Sequence, residues 1–392
     1  MNKLFDETLD HRFTNSYRWE QPEGHNDIIG LGTADLDYQC PECVKKACLQ
    51  VAKENTYNYR KKTKEYYESI DSWYQRHYGI SIEKGWVFNV PGTIAAIQVA
   101  LRMLTKRHEH VIMQSPTFSP LASAVKGAGC TLVRNEMIYE NGEYRVDLDA
   151  FERQVRGERP KIFLLVNPHN PTGHVFTKYE LERMINICYE NQVTILSDEV
   201  HSLVLGKEKK HIPIIAMGER AREISILITS FSKGFNIMSL PHALVVIPDE
   251  TYRRKWQVES DSYSFGYATN SFAMAAFSAL LGEEADDWLA QLTDYIRDNI
   301  ETCLNYISSR IPNVTAIRPE GGYLIWIDCS KLILREGMTP ARFLYEHARL
   351  RVCDGGAFGE KYDKYVRINV GVTKKVLEIA LRRMEDAIKE IS

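Results

Sequence analysis

The sequence predicts an α/β protein with a large domain built on a mainly parallel sheet with helices on both faces, followed by a smaller α+β domain. Between about residues 86 and 250, short apolar runs alternate with amphipathic stretches, the order expected of parallel strands joined by crossover helices. Two further strand-like segments then precede an amphipathic helix. The runs predicted as strands of the large sheet are residues 86–90, 110–115, 161–167, 193–198, 225–230 and 243–247.

One crossover helix can be derived in detail. Thr177 and Glu180 form a capping-box pair, in which each side chain accepts a backbone N–H at the start of a helix. Apolar residues follow at the spacing of a buried helical stripe: Leu181, Met184, Ile185 and Cys188. We therefore expect this helix to cover one face of the sheet.

The C-terminal part predicts a separate small domain. Residues 322–328 and 365–370 have the pattern of strands, and apolar residues at helical spacing from Leu377 to Ile391 mark a final helix. We place the large domain at residues 46–285 and the small domain at residues 286–392, and we expect residues 1–45 to contribute to the small domain.

Composition restricts the class of partner. Of 392 residues, 44% are hydrophobic and 26% are charged, as in globular proteins that bury a large core. Lys and Arg (49) nearly balance Asp and Glu (52), for a formal charge of −3. Nucleic acid is therefore not an expected partner. Because neither an apolar signal segment nor a run of the ~20 apolar residues of a membrane helix occurs, we expect a cytoplasmic protein without membrane association.

The eight cysteines are scattered through predicted helices and strands, which favours reduced thiols. Cys40 and Cys43 have the C-x-x-C spacing of zinc and redox sites. However, Pro41 suits the first turn of a helix, and neither a second C-x-x-C nor a nearby histidine pair completes a zinc site. We interpret both cysteines as ordinary structural thiols at the start of a helix and predict no metal site.

Polar residues follow three predicted strands at the point where each strand ends. They are Asn-Pro-His-Asn-Pro-Thr-Gly at 167–173, Ser-Asp-Glu-Val-His at 197–201 and Ser-Phe-Ser-Lys at 230–233. Ligands of open α/β sheets bind beyond the carboxyl ends of the strands. Since successive segments are about one crossover unit apart, we expect Asn170, Asp198 and Lys233 to meet in one crevice.

A fourth segment, Pro-Gly-Thr-Ile at 91–94, leaves a strand and opens a helix, where backbone N–H groups form an anion or phosphate site. A lysine, a carboxylate, an amide and a phosphate site in one cleft are the parts of a pyridoxal 5'-phosphate (PLP) site. The lysine forms a Schiff base, the carboxylate pairs with the pyridine nitrogen, and the amide can bind the phenolic oxygen. Serine hydroxyls near the lysine can hold the phosphate.

Each feature has a simpler interpretation when it is taken alone. A strand-end Asp or Lys is more often a cap or a solvated charge, and Asn-Pro and Pro-Thr-Gly mark ordinary loops. The spacing of Ser230 and Lys233 also matches the Ser-x-x-Lys motif of serine β-lactamases and penicillin-binding proteins. Those enzymes also carry Ser-Asp-Asn and Lys-Thr-Gly, which do not occur here. The combination of features therefore favours PLP.

The combination resembles the fold-type I PLP-dependent enzymes of the aminotransferase class I/II superfamily, with their PLP-dependent transferase-like fold. Within it, the sequence is most similar to the MalY/PatB-type branch of cystathionine β-lyases, or C–S lyases. The resemblance covers essentially the whole chain. The similar segments are residues 5–6, Thr-Asn-Ser-Tyr-Arg-Trp at 14–19, Ala-Asp-Leu-Asp-Tyr at 34–38, Lys-Gly-Phe-Asn-Ile at 233–237, residues 355–359 and Val-Arg-Ile-Asn at 366–369.

The resemblance implies a role for each candidate residue. Lys233 would be the Schiff-base lysine and the general acid and base, and Asp198 the partner of the pyridine nitrogen. Asn170 would bind the phenolic oxygen and contact the substrate. Phe118 would stack on the cofactor, although it could instead be a core aromatic. Arg367 would bind the substrate α-carboxylate, although it could instead be an arginine on an edge strand.

The resemblance also implies a phosphate site and a dimer. Tyr59 matches a tyrosine that reaches the phosphate from the neighbouring subunit, which would make a homodimer the catalytic unit. His201 stands where many aminotransferases carry tyrosine, and we expect it to support the cofactor site. The residues that would hold the phosphate are Gly92, Thr93, Ile94, Ser230 and Ser232.

The sequence departs from the branch pattern at three places. Gly32 stands where the branch usually has tryptophan, in a region that lines the substrate entrance. Tyr57 and Asn58 replace a usual Phe-Gly pair, and Phe118 replaces a usual tyrosine. These changes alter hydrogen bonding near the ring and keep a stacking surface. We expect the Gly32 loop and residues 262–270 to shape the substrate pocket.

The resemblance implies α,β-elimination on a sulfur-containing amino acid such as cystathionine, which gives a thiol, pyruvate and ammonia. An aminotransferase would use the same residues but would return the proton to the cofactor. Only the branch resemblance ranks the lyase first, because fold alone does not fix function. A regulatory protein that retains the fold is a further alternative, against which the intact Lys233, Asp198 and Arg367 argue.

Overall fold

The computed structural model describes residues 4–7, 9, 15–21, 27–266 and 270–391. Thr14 of the 14–19 segment and residues 267–269 of the predicted pocket segment lie outside the described residues. The helices are α1 (Glu42–Glu54), α2 (Lys64–Tyr78), α3 (Thr93–Leu104), α4 (Ser119–Gly127), α5 (Leu148–Glu158), α6 (Lys178–Glu190), α7 (Glu219–Ile224), α8 (Ser232–Phe235), α9 (Glu250–Ser262), α10 (Ser271–Ala279), α11 (Glu283–Arg310), α12 (Pro340–Ala348) and α13 (Lys374–Lys389). The strands are β1 (Ile29–Gly30), β2 (Val87–Val90), β3 (His110–Ser115), β4 (Thr131–Glu136), β5 (Ile138–Glu140), β6 (Glu143–Arg145), β7 (Ile162–Val166), β8 (Thr194–Asp198), β9 (Ser225–Thr229), β10 (Ala243–Val246), β11 (Thr315–Ile317), β12 (Leu324–Asp328), β13 (Leu350–Arg351), β14 (Cys353–Asp354) and β15 (Tyr365–Asn369).

A seven-stranded sheet in the order β2-β10-β9-β8-β7-β3-β4 forms the centre of the large domain. The neighbours from β9 to β4 pair in parallel, whereas β10 runs antiparallel to both β2 and β9. Every residue of β7, β8 and β9 is buried, which explains why these strands read as continuous apolar runs. The predicted mainly parallel sheet is confirmed.

Each predicted run of the large sheet contains a strand whose ends differ from the prediction by one residue at most. The sequence analysis did not predict the edge strand β4, because polar residues interrupt its sequence, Thr-Leu-Val-Arg-Asn-Glu. In the structure, Thr131 and Arg134 of this strand are exposed. The hairpin of β5 and β6 also escaped prediction, since its strands are only 3 residues long each.

Two apolar cores lie on opposite faces of the sheet. Because side chains alternate along a strand, Leu165 and Leu227 enter one core while Leu164 and Ile228 enter the other. Helices therefore cover both faces, as the sequence predicts.

The capping box at the start of α6 is formed as predicted. Glu180 N–H donates to Thr177 Oγ1 at 3.2 Å, and Thr177 N–H donates to Glu180 Oε2 at 2.8 Å. The apolar stripe of α6 is buried against the sheet, from Leu181 to Cys188. The helix thus stands where the sequence places it, between β7 and β8.

The C-terminal part contains an antiparallel sheet in the order β11-β12-β15-β14. β1 pairs in parallel with β13, and Asn369 N–H donates to the Leu31 carbonyl at 2.8 Å. These bonds support the proposal that residues 1–45 belong with the small domain. The long helix α11 begins at Glu283, next to the proposed boundary at residue 285.

The partly buried cysteines at the start of α1 are shielded thiols. Pro41 directly precedes α1, and burial raises the pKa of the Cys40, Cys43 and Cys48 thiols. Within the described ranges, no three His, Cys, Asp or Glu side chains group to hold a metal ion. None of the described helices has the length and apolar character needed to cross a bilayer.

Candidate active site

Three adjacent parallel strands bring the central candidates to one edge of the large sheet. Asn170 lies in the loop after β7, Asp198 is the last residue of β8, and Lys233 lies in α8, just after β9. In the strand register, Asp198 stands opposite Val166 of β7 and Ile228 of β9. The three polar groups therefore come from consecutive crossover units and lie at the sheet edge where the sequence predicts a crevice.

Lys233 is held by the N-terminal segment. Its Nζ donates to the Ala34 carbonyl at 2.7 Å. Burial lowers the pKa of Lys233 to about 8, although the Asp35 carboxylate opposes this shift. A lysine with this pKa is partly neutral near physiological pH, the state in which an amine acts as nucleophile or base.

Tyr323 fixes the backbone around this lysine, a role that the sequence did not predict. Its hydroxyl lies 3.0 Å from the Ala34 carbonyl oxygen and 3.1 Å from the Lys233 carbonyl oxygen, and it can donate to either. The tyrosine is fully buried and directly precedes β12. No local sequence signal identifies it, because the contact joins segments distant in the chain.

Asp198 is a buried carboxylate without a cationic partner. Burial raises the pKa of Asp198 to about 7, whereas the backbone N–H of Val200, 3.2 Å from Oδ1, opposes the shift. Within the described part of the chain, no Lys, Arg or His nitrogen lies within ion-pair distance of this carboxylate. A protonated pyridine nitrogen is the kind of partner that such a group fits.

Arg367 connects the small-domain sheet to the loop after β7. Its Nη1 donates to Asn170 Oδ1 and its Nη2 to the Gly32 carbonyl, both at 2.8 Å. The guanidinium lies 5.9 Å from the Phe118 ring centre and 5.2 Å from that of Phe358. Burial lowers the pKa of Arg367. β15 lies between β12 and β14, so the alternative of an edge-strand arginine is wrong.

One N–H donor of the Arg367 guanidinium is unpaired among the described residues. Its Nε is buried and has no hydrogen-bond partner among the described residues. Unpaired buried donors are rare because they cost free energy. An arginine with a free donor, fixed in place by two hydrogen bonds, suits the binding of a carboxylate.

Asn369 holds the segment that covers Lys233. Its Nδ2 donates to the Thr33 and Asp35 carbonyls, each at 2.6 Å. The predicted Val-Arg-Ile-Asn segment contains Asn369, but the sequence assigns it no role. In the structure, β15 supplies Arg367, and its Asn369 also holds the loop that follows Gly32 in place.

The predicted phosphate residues lie at the same edge of the sheet. Gly92 caps α3 with a φ of 103°, a conformation that favours glycine, and Thr93 and Ile94 form the first turn. In the register, β10 begins beside Val90 of β2 and Thr229 of β9. The start of α3 and the segment after β9 therefore flank the same strand end, where helical N–H groups favour an anion.

Ser230 and Ser232 complete this region. Ser230 Oγ donates to the His242 carbonyl at 2.9 Å and lies 3.1 Å from Ser232 Oγ. His242 Nε2 lies 2.9 Å from the Tyr66 hydroxyl and 3.1 Å from Asn89 Nδ2. Because burial lowers the pKa of His242 to about 3, the ring is neutral, and its Nε2 can accept a hydrogen bond from either group. The sequence did not predict this support.

The remaining candidates occupy different environments. His201 is buried, and burial together with the charges of Lys233 and Arg367 lowers its pKa to about 3, so its ring is neutral. Phe118 caps α4 and is partly buried beside Arg367. Tyr59 is 85% exposed, and its role toward a neighbouring subunit stays a prediction.

Comparison with known proteins identifies the class. The family model described as aminotransferase class I and II matches residues 26–384. The chain belongs to this family, which confirms the family that the motifs predict.

Individual relatives narrow the comparison. Cystathionine beta-lyase PatB of Bacillus subtilis (strain 168) is 26% identical over 387 residues, 98% of this chain and 99% of that protein. The structure of the PLP-bound C–S lyase from Staphylococcus hominis with the inhibitor L-cycloserine is 26% identical, with a TM-score of 0.91 over 99% of this chain and 98% of that one. The aspartate aminotransferase of Pyrococcus horikoshii is 27% identical over 380 residues, 95% of this chain and 93% of that protein. The predicted similarity to the MalY/PatB branch is confirmed.

Proposed function

We propose that the protein is a PLP-dependent C–S lyase. It eliminates a thiolate from Cβ of a sulfur-containing amino acid such as cystathionine. The aminoacrylate that remains is released and hydrolysed by water, so the products are a thiol, pyruvate and ammonia. The observation that supports this best is the buried Asp198 carboxylate without a cationic partner, beside the buried amine of Lys233. Relatives named cystathionine beta-lyase and C–S lyase support elimination as the outcome.

The residues at the sheet edge fit PLP. Lys233 would attach the cofactor, Asp198 would pair with its pyridine nitrogen, and Asn170 would bind its phenolic oxygen through the amide nitrogen, since its Oδ1 accepts from Arg367. When bound, PLP supplies an electron sink for negative charge at the substrate Cα. The residues that hold its phosphate are Gly92, Thr93, Ile94, Ser230 and Ser232.

Arg367 orients the substrate. Its fixed guanidinium and its free Nε–H bind the α-carboxylate, and Phe118 and Phe358 limit where the guanidinium can move. Asn170 belongs to the same carboxylate-binding site, because its Oδ1 accepts a hydrogen bond from Arg367 Nη1 and helps to hold the guanidinium in place. A held carboxylate fixes the direction of the remaining Cα bonds, which is the positioning that proton removal requires.

Lys233 moves the proton. Once the substrate amine has replaced it on the cofactor, Lys233 would be a free amine. With a pKa lowered to about 8, part of its Nζ population would be neutral and could take the Cα proton. The resulting ammonium can protonate the departing thiolate. A bound pyridinium nitrogen would favour the charged form of Asp198, and the carboxylate would in turn keep that nitrogen protonated.

An aminotransferase is the second candidate, favoured by the aspartate aminotransferase among the relatives. It needs the same side chains, and the outcome depends on whether the proton returns to the cofactor or a Cβ group leaves.

One assay separates these candidates. The purified protein is given PLP and L-cystathionine, and pyruvate is measured with and without a 2-oxo acid. Steady pyruvate formation without an acceptor is the expected result. An aminotransferase would form no pyruvate from L-cystathionine; it would convert the cofactor to its pyridoxamine form in one turnover and would continue only with a 2-oxo acid. The absence of a visible cofactor band after PLP is added overturns the cofactor proposal.

We also propose that the catalytic unit is a homodimer. Three tyrosines on the N-terminal and α1–α2 segments are strongly exposed: Tyr17 at 78%, Tyr57 at 60% and Tyr59 at 85%. Tyr17 lines a groove of about 1000 Å³ that also includes Asp35 of the lysine-covering segment. A second copy of the chain would cover these aromatic surfaces and bring its Tyr59 to the phosphate site.

A further inference from the structure

Residues 319–322, which lead from β11 into β12, contact the loop that carries Asn170. The backbone N–H groups of Glu320 and Gly321 both donate to the Gly173 carbonyl, at 3.0 and 2.9 Å. This loop follows β7, so these bonds join the small-domain sheet to the large one.

The same residues contact the loop that follows β8. Gly206 N–H donates to the Glu320 carbonyl and Gly322 N–H to the Val204 carbonyl, each at 2.8 Å. We call the contact of residues 319–322 with these two loops the Glu320 joint.

The Glu320 side chain is the charged centre of the joint. Its Oε2 accepts from Val175 N–H at 2.8 Å and lies 3.0 Å from His174 Nδ1, while its Oε1 pairs with Lys209 Nζ. His174 also bonds to both carboxylate oxygens of Glu180 at 3.1 Å. Burial alone would lower the pKa of His174, but the hydrogen-bonded Glu180 carboxylate and the nearby Glu320 carboxylate raise it to about 9, so the ring is charged near neutral pH.

Backbone packing leaves little freedom in the joint. Gly173 has a φ of 74°, and a Cβ there would lie 2.7 Å from Pro319 Cα. A Cβ at Gly321 would lie 2.7 Å from Pro168 Cγ. Since side chains cannot fit at either position, the loop and residues 319–322 meet in one arrangement.

The joint leads directly to the substrate site. β12 follows residues 319–322, and its Trp326 stands opposite Arg367 of β15. Arg367 in turn binds Asn170 at the front of the loop. The loop is therefore tied to the small domain twice, at the site by Asn170 and behind it by Glu320.

We propose that Glu320 is a positioning residue, whose carboxylate holds the Asn170 loop in register with the strand that carries Arg367. The inference rests on the proposed function and extends it, because it assigns the fit of the α-carboxylate site to a side chain outside that site. Loss of the Glu320 charge loosens the loop, and Asn170 then holds Arg367 less well.

The test compares Glu320→Gln with Glu301→Gln in the PLP-loaded protein. Glu301 is a matched control, since it pairs with Arg318 on an exposed surface near the joint. Glu320→Gln should raise KM for L-cystathionine about tenfold and change kcat less than about threefold. It should also accelerate hydrogen exchange in peptides that cover residues 167–176. Glu301→Gln should leave KM, kcat and hydrogen exchange unchanged.

If Glu320→Gln leaves both KM and hydrogen exchange unchanged, the inference is wrong. It is also wrong if the only effect is a lower melting temperature, because that result indicates a purely structural role. If Glu320→Gln does not fold, His174→Gln removes the opposite charge and should shift KM and exchange in the same direction. Wild-type protein without turnover would refute the proposed function. In that case the exchange comparison still tests the joint, since it needs no substrate.

Discussion

Burial pushes the two central ionisable groups of the site in opposite directions. It raises the pKa of Asp198 to about 7 and lowers that of Lys233 to about 8. Both groups therefore carry less charge near neutral pH than they would in water. Paired shifts of this kind are typical of sites that transfer protons, and here a bound pyridine nitrogen would stabilise the charged form of Asp198.

Replacing Asp198 by Asn should separate stability from function. The folded-state pKa of about 7 exceeds the ordinary 3.8, so the buried charge costs stability above pH 3.8 and most of all above about pH 7. At about pH 8, Asp198→Asn should raise the unfolding free energy of the PLP-free protein by on the order of 2 kcal/mol, and the gain should shrink toward about pH 4. Turnover should fall about 100-fold or more.

Urea unfolding at two pH values and a pyruvate assay measure both effects. Asp294→Asn is the control. The Asp294 carboxylate on α11 is 76% exposed, so its replacement should change neither the unfolding free energy nor the turnover. A destabilised variant at about pH 8 that keeps full turnover contradicts the role given to Asp198.

Arg367→Lys should weaken substrate binding more than chemistry. The three donors of a lysine ammonium share one nitrogen, which cannot lie at the positions of Arg367 Nη1, Nη2 and Nε at the same time. We expect KM for L-cystathionine to rise about 10- to 100-fold with a smaller change in kcat. Steady-state kinetics measure this, with the exposed Arg335→Lys as control. An unchanged KM would place the α-carboxylate elsewhere.

At the scale of elements, the sequence predicts those strands and helices whose formation depends on residues close together in the chain. The buried runs of β7, β8 and β9 and the capping box of α6 could be predicted because each depends on neighbours in the chain. The meeting of Asn170, Asp198 and Lys233 followed from strand order, since parallel strands end at one edge.

Contacts between distant segments left no local signal. Tyr323 reaches Ala34 and Lys233, and Glu320 reaches His174, across large separations in the chain. A tyrosine or glutamate before a strand looks like any surface residue until the fold places it. The antiparallel direction of β10 was also not predicted, because a short apolar run carries no direction.

The Glu320 joint should make stability depend on pH. The pKa of His174 is raised from 6.5 to about 9 by its carboxylate partners, so protonated His174 contributes fully below about pH 6.5. This contribution is lost as the pH rises through about 9. The unfolding free energy of the wild type should therefore fall more between about pH 6.5 and pH 9.5 than that of His174→Gln. Equal losses in urea unfolding would show that the charged pair contributes nothing.

At the scale of the whole molecule, the proposed homodimer predicts complementation between two defective subunits. Lys233→Ala removes the lysine, and Tyr59→Ala removes the residue assigned to the neighbouring site. A mixed dimer has one site with both residues intact, so random reassociation should restore about a quarter of wild-type activity. The assay is pyruvate formation after the two variants are mixed and allowed to exchange subunits.

Each variant alone and a mixture kept from exchanging are the controls. A mixture no more active than its components, or a Tyr59→Ala protein with full activity, contradicts the shared site. Sedimentation should show a dimer for both variants, because neither change removes the exposed Tyr17 and Tyr57 surfaces.

The central claim is that PLP is attached to the buried lysine after β9, and covalent mapping tests it most directly. The PLP-loaded protein is reduced with borohydride, digested and analysed by mass spectrometry. The reduced cofactor should be found on the peptide that contains Lys233, and a Lys233→Ala variant should carry none. Attachment to another lysine, or no attachment in the wild type, would contradict the assignment of this crevice as the active site.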